Sequence, residues 1–149
     1  MRTSRFGFTI LELITVVAIM GILSVLAMPK FAETVRRSKV RSARNEIVAY
    51  FTRARAVAIQ RGQRTDVRVA GTQMSVVTVA SGVEQTVVQG DLYEQHGVTL
   101  SASQGQFTYD PRGFTANMAG AGRLLVTRDD WTLPVCVTRL GKAYLNGCQ

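Results

Sequence analysis

A long apolar run near the start of the chain gives way to an amphipathic pattern. From Phe8 to Met28, 16 of 21 residues are apolar. A helix of that length spans about 32 Å, enough to cross the hydrocarbon core of a bilayer. Over residues 30–62 apolar side chains recur every three or four positions, which predicts that the helix continues with one buried stripe. We expect Pro29 to bend the helix and Gly62 to end it. The stripe consists of Val40, Ala43, Ile47, Phe51, Ala54 and Ala58.

From Thr65 onward the pattern changes to short β-rich runs separated by glycines. Ser81-Gly82 predicts a hairpin and Asp110–Gly113 a tight turn. A set of short strands of this size buries only a modest core by itself, so we expect the helical stripe to pack on it. The predicted fold class is therefore α+β. Strands are expected at residues 65–69, 74–79, 83–89, 98–100, 107–109, 123–127, 132–138 and 143–145.

The composition excludes several classes of protein. With 46% hydrophobic residues and two cysteines, the chain is neither disordered nor a disulfide-rich miniprotein. The single histidine, His96, precedes Gly97 and is interpreted as a loop residue. No nucleophile–base pair, metal-ligand cluster or phosphate-binding glycine loop is visible, and Asp129-Asp130 is typical of a turn. We therefore expect neither an enzyme nor a cofactor.

Glu12 distinguishes the apolar run from an ordinary signal peptide. A secretory signal with cleavage near Ala27 is the alternative, but a carboxylate inside an apolar segment is costly without a partner. Gly7 followed by Phe8-Thr9-Ile10-Leu11-Glu12 resembles the cleavage and methylation motif of type IV prepilins and pseudopilins. The resemblance implies that a prepilin peptidase cleaves after Gly7 and that the new terminus, Phe8, is N-methylated.

The same resemblance implies a location and a role for the apolar helix. The subunit would sit in the bacterial inner membrane as a single-pass protein with a periplasmic head, and would then enter a pilus or pseudopilus with other pilins. Inside a filament the carboxylate of Glu12 needs a counter-charge, which the amino group on Phe8 of a neighbouring subunit can supply. Our hypothesis is that Glu12 sets the assembly register.

The second half of the chain has its own resemblance. Arg55–Gly62 running into a strand, the Phe107–Gly113 segment with its Tyr-x-Pro-x-Gly pattern, and a closing strand pair around residues 135–145 resemble the GspH/FimT group of minor pilins and pseudopilins. This implies a long helix packed on a small antiparallel β-sandwich-like head. Members of that group often carry Gly-Arg near the end, whereas Gly141-Lys142 stands here, and lysine lacks the bidentate fork of arginine.

Together these observations divide the chain into four predicted segments: a leader (1–7), a membrane-spanning and filament-core helix (8–29), its amphipathic continuation (30–62) and a β-rich head (63–149). We expect a minor pilin or pseudopilin of a type IV pilus or type II secretion filament that acts in filament initiation. The sequence does not decide between the two machines. In an exported head, Cys136 and Cys148 are expected to form a structural disulfide.

The net charge of +8 is unevenly distributed. Residues 30–64 carry ten Lys/Arg and two Glu, whereas residues 65–149 carry six Lys/Arg and seven Asp/Glu. The basic cluster at Arg36–Arg44 is either a solvated helix face or a surface for acidic neighbours in a filament or for anionic lipid headgroups. A DNA-binding minor pilin for DNA uptake is the alternative function, since residues 112–149 have a net charge of +3. Its candidate contacts are Arg123, Arg128, Arg139 and Lys142.

Overall fold

The computed structural model describes residues 9–80, 82–118, 120–145 and 148, in two compact units that meet between Arg36 and Arg37. A 52-residue helix, α1 (Ile10–Arg61), contributes residues to both units. Gly62 directly follows α1, where the sequence predicts its end. The remaining elements, all in the second unit, are β1 (Thr65–Ala70), β2 (Gln73–Ala80), β3 (Val83–Asp91), α2 (Leu92–His96), β4 (Thr99–Ala102), β5 (Gln106–Tyr109), β6 (Gly122–Arg128), β7 (Trp131–Val137) and β8 (Ala143–Tyr144).

The described part of the first unit is helical, and from Ile10 to Val25 it exposes many large apolar side chains. Two hydroxyl groups in this stretch bond back onto the helix: the hydroxyl of Thr15 donates to the carbonyl oxygens of Leu11 and Glu12 at 3.1 and 2.9 Å, and that of Ser24 donates to Met20 O at 2.7 Å. Such bonds satisfy hydroxyl groups without water, which suits an apolar environment.

Within the described residues no single helix is both long and apolar enough for a membrane span. Only Ile10–Val25 and Lys30–Arg61 taken together, as a pair bent by 44°, meet that condition by length and composition.

The second unit contains two antiparallel sheets of four strands each. Their strand orders are β3-β2-β1-β5 and β4-β6-β7-β8. The chain changes sheet three times: α2 leads from β3 to β4, β5 returns to the first sheet, and β6 begins the return to the second. The β6–β7 hairpin turns over two residues, Asp129 and Asp130, and Asp129 adopts a φ of 50°.

The stripe of α1 completes the core between these sheets. All six predicted stripe residues have 0% exposure, and they belong to one buried cluster with side chains of both sheets, such as Val67 of β1 and Leu124 of β6. The ring of Phe51 meets that of Phe107 edge-on, with centroids 5.1 Å apart. Aromatic pairs of this geometry add to the free energy gained by burial. The predicted α+β fold, with a long helix on an antiparallel head, is confirmed.

The strand predictions are confirmed at all eight places, with no end shifted by more than two residues. The interpretation of His96 as a loop residue is wrong, because His96 ends α2. This short helix is formed by local capping: the carboxylate of Asp91 accepts from the backbone N–H of Tyr93 and Glu94, and Gly97 closes the other end in the left-handed conformation. In the sequence, this helix is indicated by Asp91 directly before it and Gly97 directly after it.

A disulfide joins Cys136 of β7 to Cys148. Cys136 is buried and is the strand partner of Tyr144 in β8, so the bond fixes Cys148 to the second sheet. Closing a loop of this size contributes about 3 kcal/mol in the chain-entropy account.

Replacing Ile47 by alanine should destabilise the second unit strongly. Ile47 is fully buried, and truncation of such a residue costs about 2–5 kcal/mol. Ile59 on the same helix is 49% exposed, so Ile59→Ala is the matched control, expected to cost less than about 1 kcal/mol. Denaturation of the full chain in detergent, followed by the fluorescence of Trp131, the sole tryptophan, measures both. An equal loss of unfolding free energy in the two variants would contradict the burial of the stripe.

Loss of the disulfide should lower the free energy of unfolding by about 3 kcal/mol. The comparison is between the oxidised chain, the chain treated with reductant, and Cys148→Ser. Reductant is expected to destabilise the native sequence and to leave Cys148→Ser unchanged, because that variant has no bond to break. A native chain that unfolds identically with and without reductant contradicts a structural role for the bond.

Candidate functional site

The N-terminal motif is described only in part. Gly7 and Phe8 lie outside the described residues, and Glu12 lies in the first turn of α1. The hydroxyl oxygen of Thr9 accepts from the backbone N–H of Glu12 at 3.2 Å, which is the geometry of a helix N-cap. Thr-x-x-Glu before an apolar run is a known helix-start pattern, so the sequence carries a signal for this cap at Thr9.

Glu12 is exposed and surrounded along the helix by exposed apolar side chains. A carboxylate in the first turn of a helix is favoured by the partial positive charge of that end. Once neighbouring apolar surface covers the segment, the carboxylate requires a positively charged partner, because burial of an unpaired charge is costly. Its predicted role in assembly register is an interpretation that this geometry permits.

Pro29 lies within α1, between the two segments Ile10–Val25 and Lys30–Arg61 that form the bent pair. A proline inside a helix removes one backbone hydrogen bond and favours a bend at that place. The role of Pro29 in the bend stays a prediction.

Two arginines of the basic cluster contact the head: Arg37, which is exposed, and Arg44, which is half-buried. The guanidinium of Arg37 lies 4.0 Å from the ring centroid of Trp131, a cation–π contact. Arg44 Nη1 donates to the backbone carbonyl of Leu145 at 2.8 Å. Lys39 and Arg41 are exposed, so the cluster is partly structural and partly available for contacts with other molecules.

A second polar cluster joins α1 to α2. His96 Nε2 and Glu46 Oε2 are 2.6 Å apart, and the side-chain amide of Gln95, with its nitrogen toward Glu46, donates to both carboxylate oxygens at 2.9 and 3.1 Å. Burial and, after it, the negative charge of Glu46 raise the pKa of Tyr50. These groups adjoin a cavity of about 190 Å³ that is lined by Glu46, Ala49, Tyr50, Arg53 and Val88.

Sequence reasoning missed this cluster because its members are far apart in the chain. Glu46 and His96 are separated by 50 residues. The cluster is half-buried and its hydrogen bonds are satisfied, which is typical of a structural link between two elements. Among the described residues no group of three or more His, Cys, Asp or Glu side chains is arranged to hold a metal ion.

The four candidate DNA contacts do not form one surface. Gly122 at the start of β6 pairs with Val137, and Arg128 at its end pairs with Trp131. Arg139 and Lys142 follow β7 and so lie at the end of the sheet where Arg123 lies, and all three are exposed. Arg128 lies at the other end, about 17 Å along the strand from Arg123, and its guanidinium donates to the carbonyl of His96.

Comparison with known proteins gives a family and a fold. Residues 43–141 match the family described as type II transport protein GspH. The chain is 38% identical over 71 residues to the type IV major pilin protein PilA of Myxococcus xanthus, over 44% of this chain and 32% of PilA. It thus spans about a third of the length of that curated relative.

Two solved structures share the fold. The type IV minor pilin FimU of Pseudomonas aeruginosa aligns with a TM-score of 0.63 and 16% identity, over 75% of this chain and 91% of FimU. The minor pseudopilin EpsH from the type 2 secretion system of Vibrio cholerae aligns with a TM-score of 0.59 and 15% identity, over 72% of this chain and 96% of EpsH.

The matched family region begins within the stripe of α1 and extends through both sheets to Gly141, which covers most of the second unit. The chain therefore belongs to the GspH family of type II transport proteins, with the fold of minor pilins and pseudopilins.

Proposed function

We propose that the chain is a minor pilin or pseudopilin subunit of a type IV pilus or type II secretion filament. The main support for this proposal is that two parts of α1 differ in exposure. The first part exposes large apolar side chains, whereas the stripe from Val40 to Ala58 is buried in the core of the head. An apolar surface of this extent needs lipid or other subunits to cover it. Family membership and the fold of FimU and EpsH support the same assignment.

Before assembly, the apolar part of α1 holds the subunit in the bacterial inner membrane, with the head in the periplasm. Prepilin peptidase removes residues 1–7 after Gly7, and the amino group of Phe8 is methylated. During assembly the apolar helices leave the lipid and pack against those of other pilins. The subunit acts in filament initiation, as a structural component without enzymatic activity.

Glu12 is proposed to fix the axial register of these helices. Its carboxylate pairs with the terminal amino group on Phe8 of a neighbouring subunit. A register shifted by one turn would leave both charges unpaired in an apolar bundle, and that costs several kcal/mol. Pro29 is proposed to bend the helix so that the bundle and the head are both accommodated.

Glu12→Ala should therefore reduce incorporation into filaments about tenfold or more while leaving membrane insertion intact. Glu12→Gln, which keeps the shape and removes the charge, is expected to match it, and Thr15→Ala one turn later is the control. The measurement is the ratio of the chain in sheared filaments to the chain in membranes. Mass spectrometry of the membrane form reports whether it begins with methylated Phe8.

Two results separate the parts of this proposal. A Glu12→Ala chain present in filaments at the native level contradicts the register role alone. A native chain that is absent from filaments and is never cleaved after Gly7 contradicts the assignment as a filament subunit.

Nucleic-acid binding is the second candidate function, because Arg123, Arg139 and Lys142 are exposed at one end of the second sheet. Three phosphate contacts predict a slope of log affinity against log salt of only about −3. We expect duplex DNA to bind the full chain weakly, with that slope, and Arg128→Ala to leave binding unchanged. Titration at two salt concentrations measures this. A slope near −6, or a loss of binding in Arg128→Ala, would show that DNA uses a wider surface.

A further inference from the structure

The cavity beside the polar cluster lies between α1 and β3, which is the edge strand of the first sheet. Glu46, Ala49, Tyr50 and Arg53 line it from α1, and Val88 lines it from β3. The four helical residues stand at positions i, i+3, i+4 and i+7, so they share one face of the helix. A cavity of about 150 Å³ holds benzene, so this one, at about 190 Å³, holds a molecule of about seven non-hydrogen atoms.

One end of this cavity is polar and is held in place by hydrogen bonds. The carboxylate of Glu46 meets His96 Nε2 at 2.6 Å and accepts from the side-chain amide of Gln95 at 2.9 and 3.1 Å. A carboxylate has about four acceptor positions, so one is left after these three contacts. The side chain of Glu46 is 27% exposed, so a ligand in the cavity has access to it.

The hydroxyl group of Tyr50 lies at the same end. Tyr50 is 6% exposed, and a Cβ on Gly90 would meet its Oη and the side-chain amide of Gln95. Glycine at position 90 therefore leaves the room that this hydroxyl occupies. Burial and, after it, the negative charge of Glu46 raise the pKa of Tyr50, so the hydroxyl keeps its proton at neutral pH. A neutral phenol and a carboxylate that lie together are both acceptors for an ammonium group.

The other end of the cavity carries a positive charge. Arg53 is exposed and lies about 10 Å along the helix axis from Glu46. In the part of the chain that the structure describes, the carboxylate of Glu46 contacts His96 and forms no ion pair with Arg53, although both residues line the cavity. Ala49 and Val88 supply apolar walls. The cavity therefore has an apolar middle between two opposite charges that do not neutralise each other directly.

The other charged groups of α2 and β6 near the polar end do not line the cavity. The carboxylate of Asp91 caps α2, Glu94 is exposed, and Arg128 donates to the carbonyl of His96. None of these three residues belongs to the lining. The charges that a ligand meets inside the cavity are therefore those on α1.

We propose that this cavity binds a small zwitterion whose ammonium and carboxylate groups are joined by a short apolar chain. The ammonium donates to the open acceptor position of Glu46 and to Tyr50 Oη. The carboxylate accepts from the guanidinium of Arg53, whose fork suits two parallel hydrogen bonds. The apolar chain covers Ala49 and Val88. The site lies wholly in the second unit, so the inference goes beyond the proposed function and does not depend on it.

Titration with 4-aminobutanoate, which matches the cavity in size and carries both charges, tests the site. The full chain is held in detergent, with ¹³C in the methyl groups of alanine and valine. We expect the methyl resonances of Ala49 and Val88 to shift to saturation, and those of Ala43 and Val126 in the core to stay in place. Butylamine and butanoate each lack one charge, and at the same ionic strength we expect each to bind about tenfold more weakly.

Variants at two exposed positions test each part of the site without disturbing the core. Arg53→Gln should weaken the binding of 4-aminobutanoate about tenfold and leave that of butylamine unchanged, because only the contact with the carboxylate is lost. Arg41→Gln, at an exposed position of α1 outside the cavity, is the matched control and should bind as the native chain does. Ala49→Leu fills the cavity and should abolish binding. Unchanged resonances of the core methyl groups show that each variant is folded.

Three results would overturn the proposal. In the first, the methyl groups of Ala49 and Val88 do not shift. In the second, Arg53→Gln binds 4-aminobutanoate as tightly as the native chain. In the third, butylamine and butanoate bind as tightly as 4-aminobutanoate, which would make the cavity an apolar pocket without charge selection. Incorporation into filaments is measured separately, so failure of the zwitterion site leaves the proposed function standing, and the reverse also holds.

Discussion

The structure of the second unit depends on the burial of one helical stripe between two small sheets. Each sheet has four strands, and the apolar face of a sheet must be buried against another element. Ile47 and Phe51 of the helix belong to the same buried cluster as these faces, with Phe51 placed edge-on against Phe107 of β5. Since the stripe shares one buried cluster with side chains of both sheets, the packing of each sheet depends on the presence of the helix.

Polar contacts at the edges of the stripe determine how the helix is seated. Three side chains of α1 make these contacts: Arg37 lies on Trp131 of the second sheet, Arg44 donates to the carbonyl of Leu145, and Glu46 meets His96 of α2. Because a hydrogen bond or a cation–π contact is lost in any shifted position, these contacts favour a single register.

The strands were predicted well because their signals are local. Alternation of apolar side chains, glycine at turns and the Asp110–Gly113 sequence act over fewer than ten residues. The same local reasoning explains the miss at α2, where five residues with a capping Asp91 fall below the length at which periodicity is visible. The order of the strands could not be predicted from the sequence, because the hydrogen bonds that determine it join segments as distant as β1 and β5.

By itself, the sequence determined the α+β class, the buried stripe, the turn positions and the resemblance to prepilins, because periodicity, turn chemistry and the Gly7-Phe8 motif are carried by neighbouring residues. Only the tertiary structure decided which charges act together. It gave Arg128 a bond to the carbonyl of His96, gave Arg37 and Arg44 partners within the head, and joined Glu46 to His96. The physical reason is that electrostatic and apolar contacts depend on distance in space, which folding of the two sheets sets independently of distance along the chain.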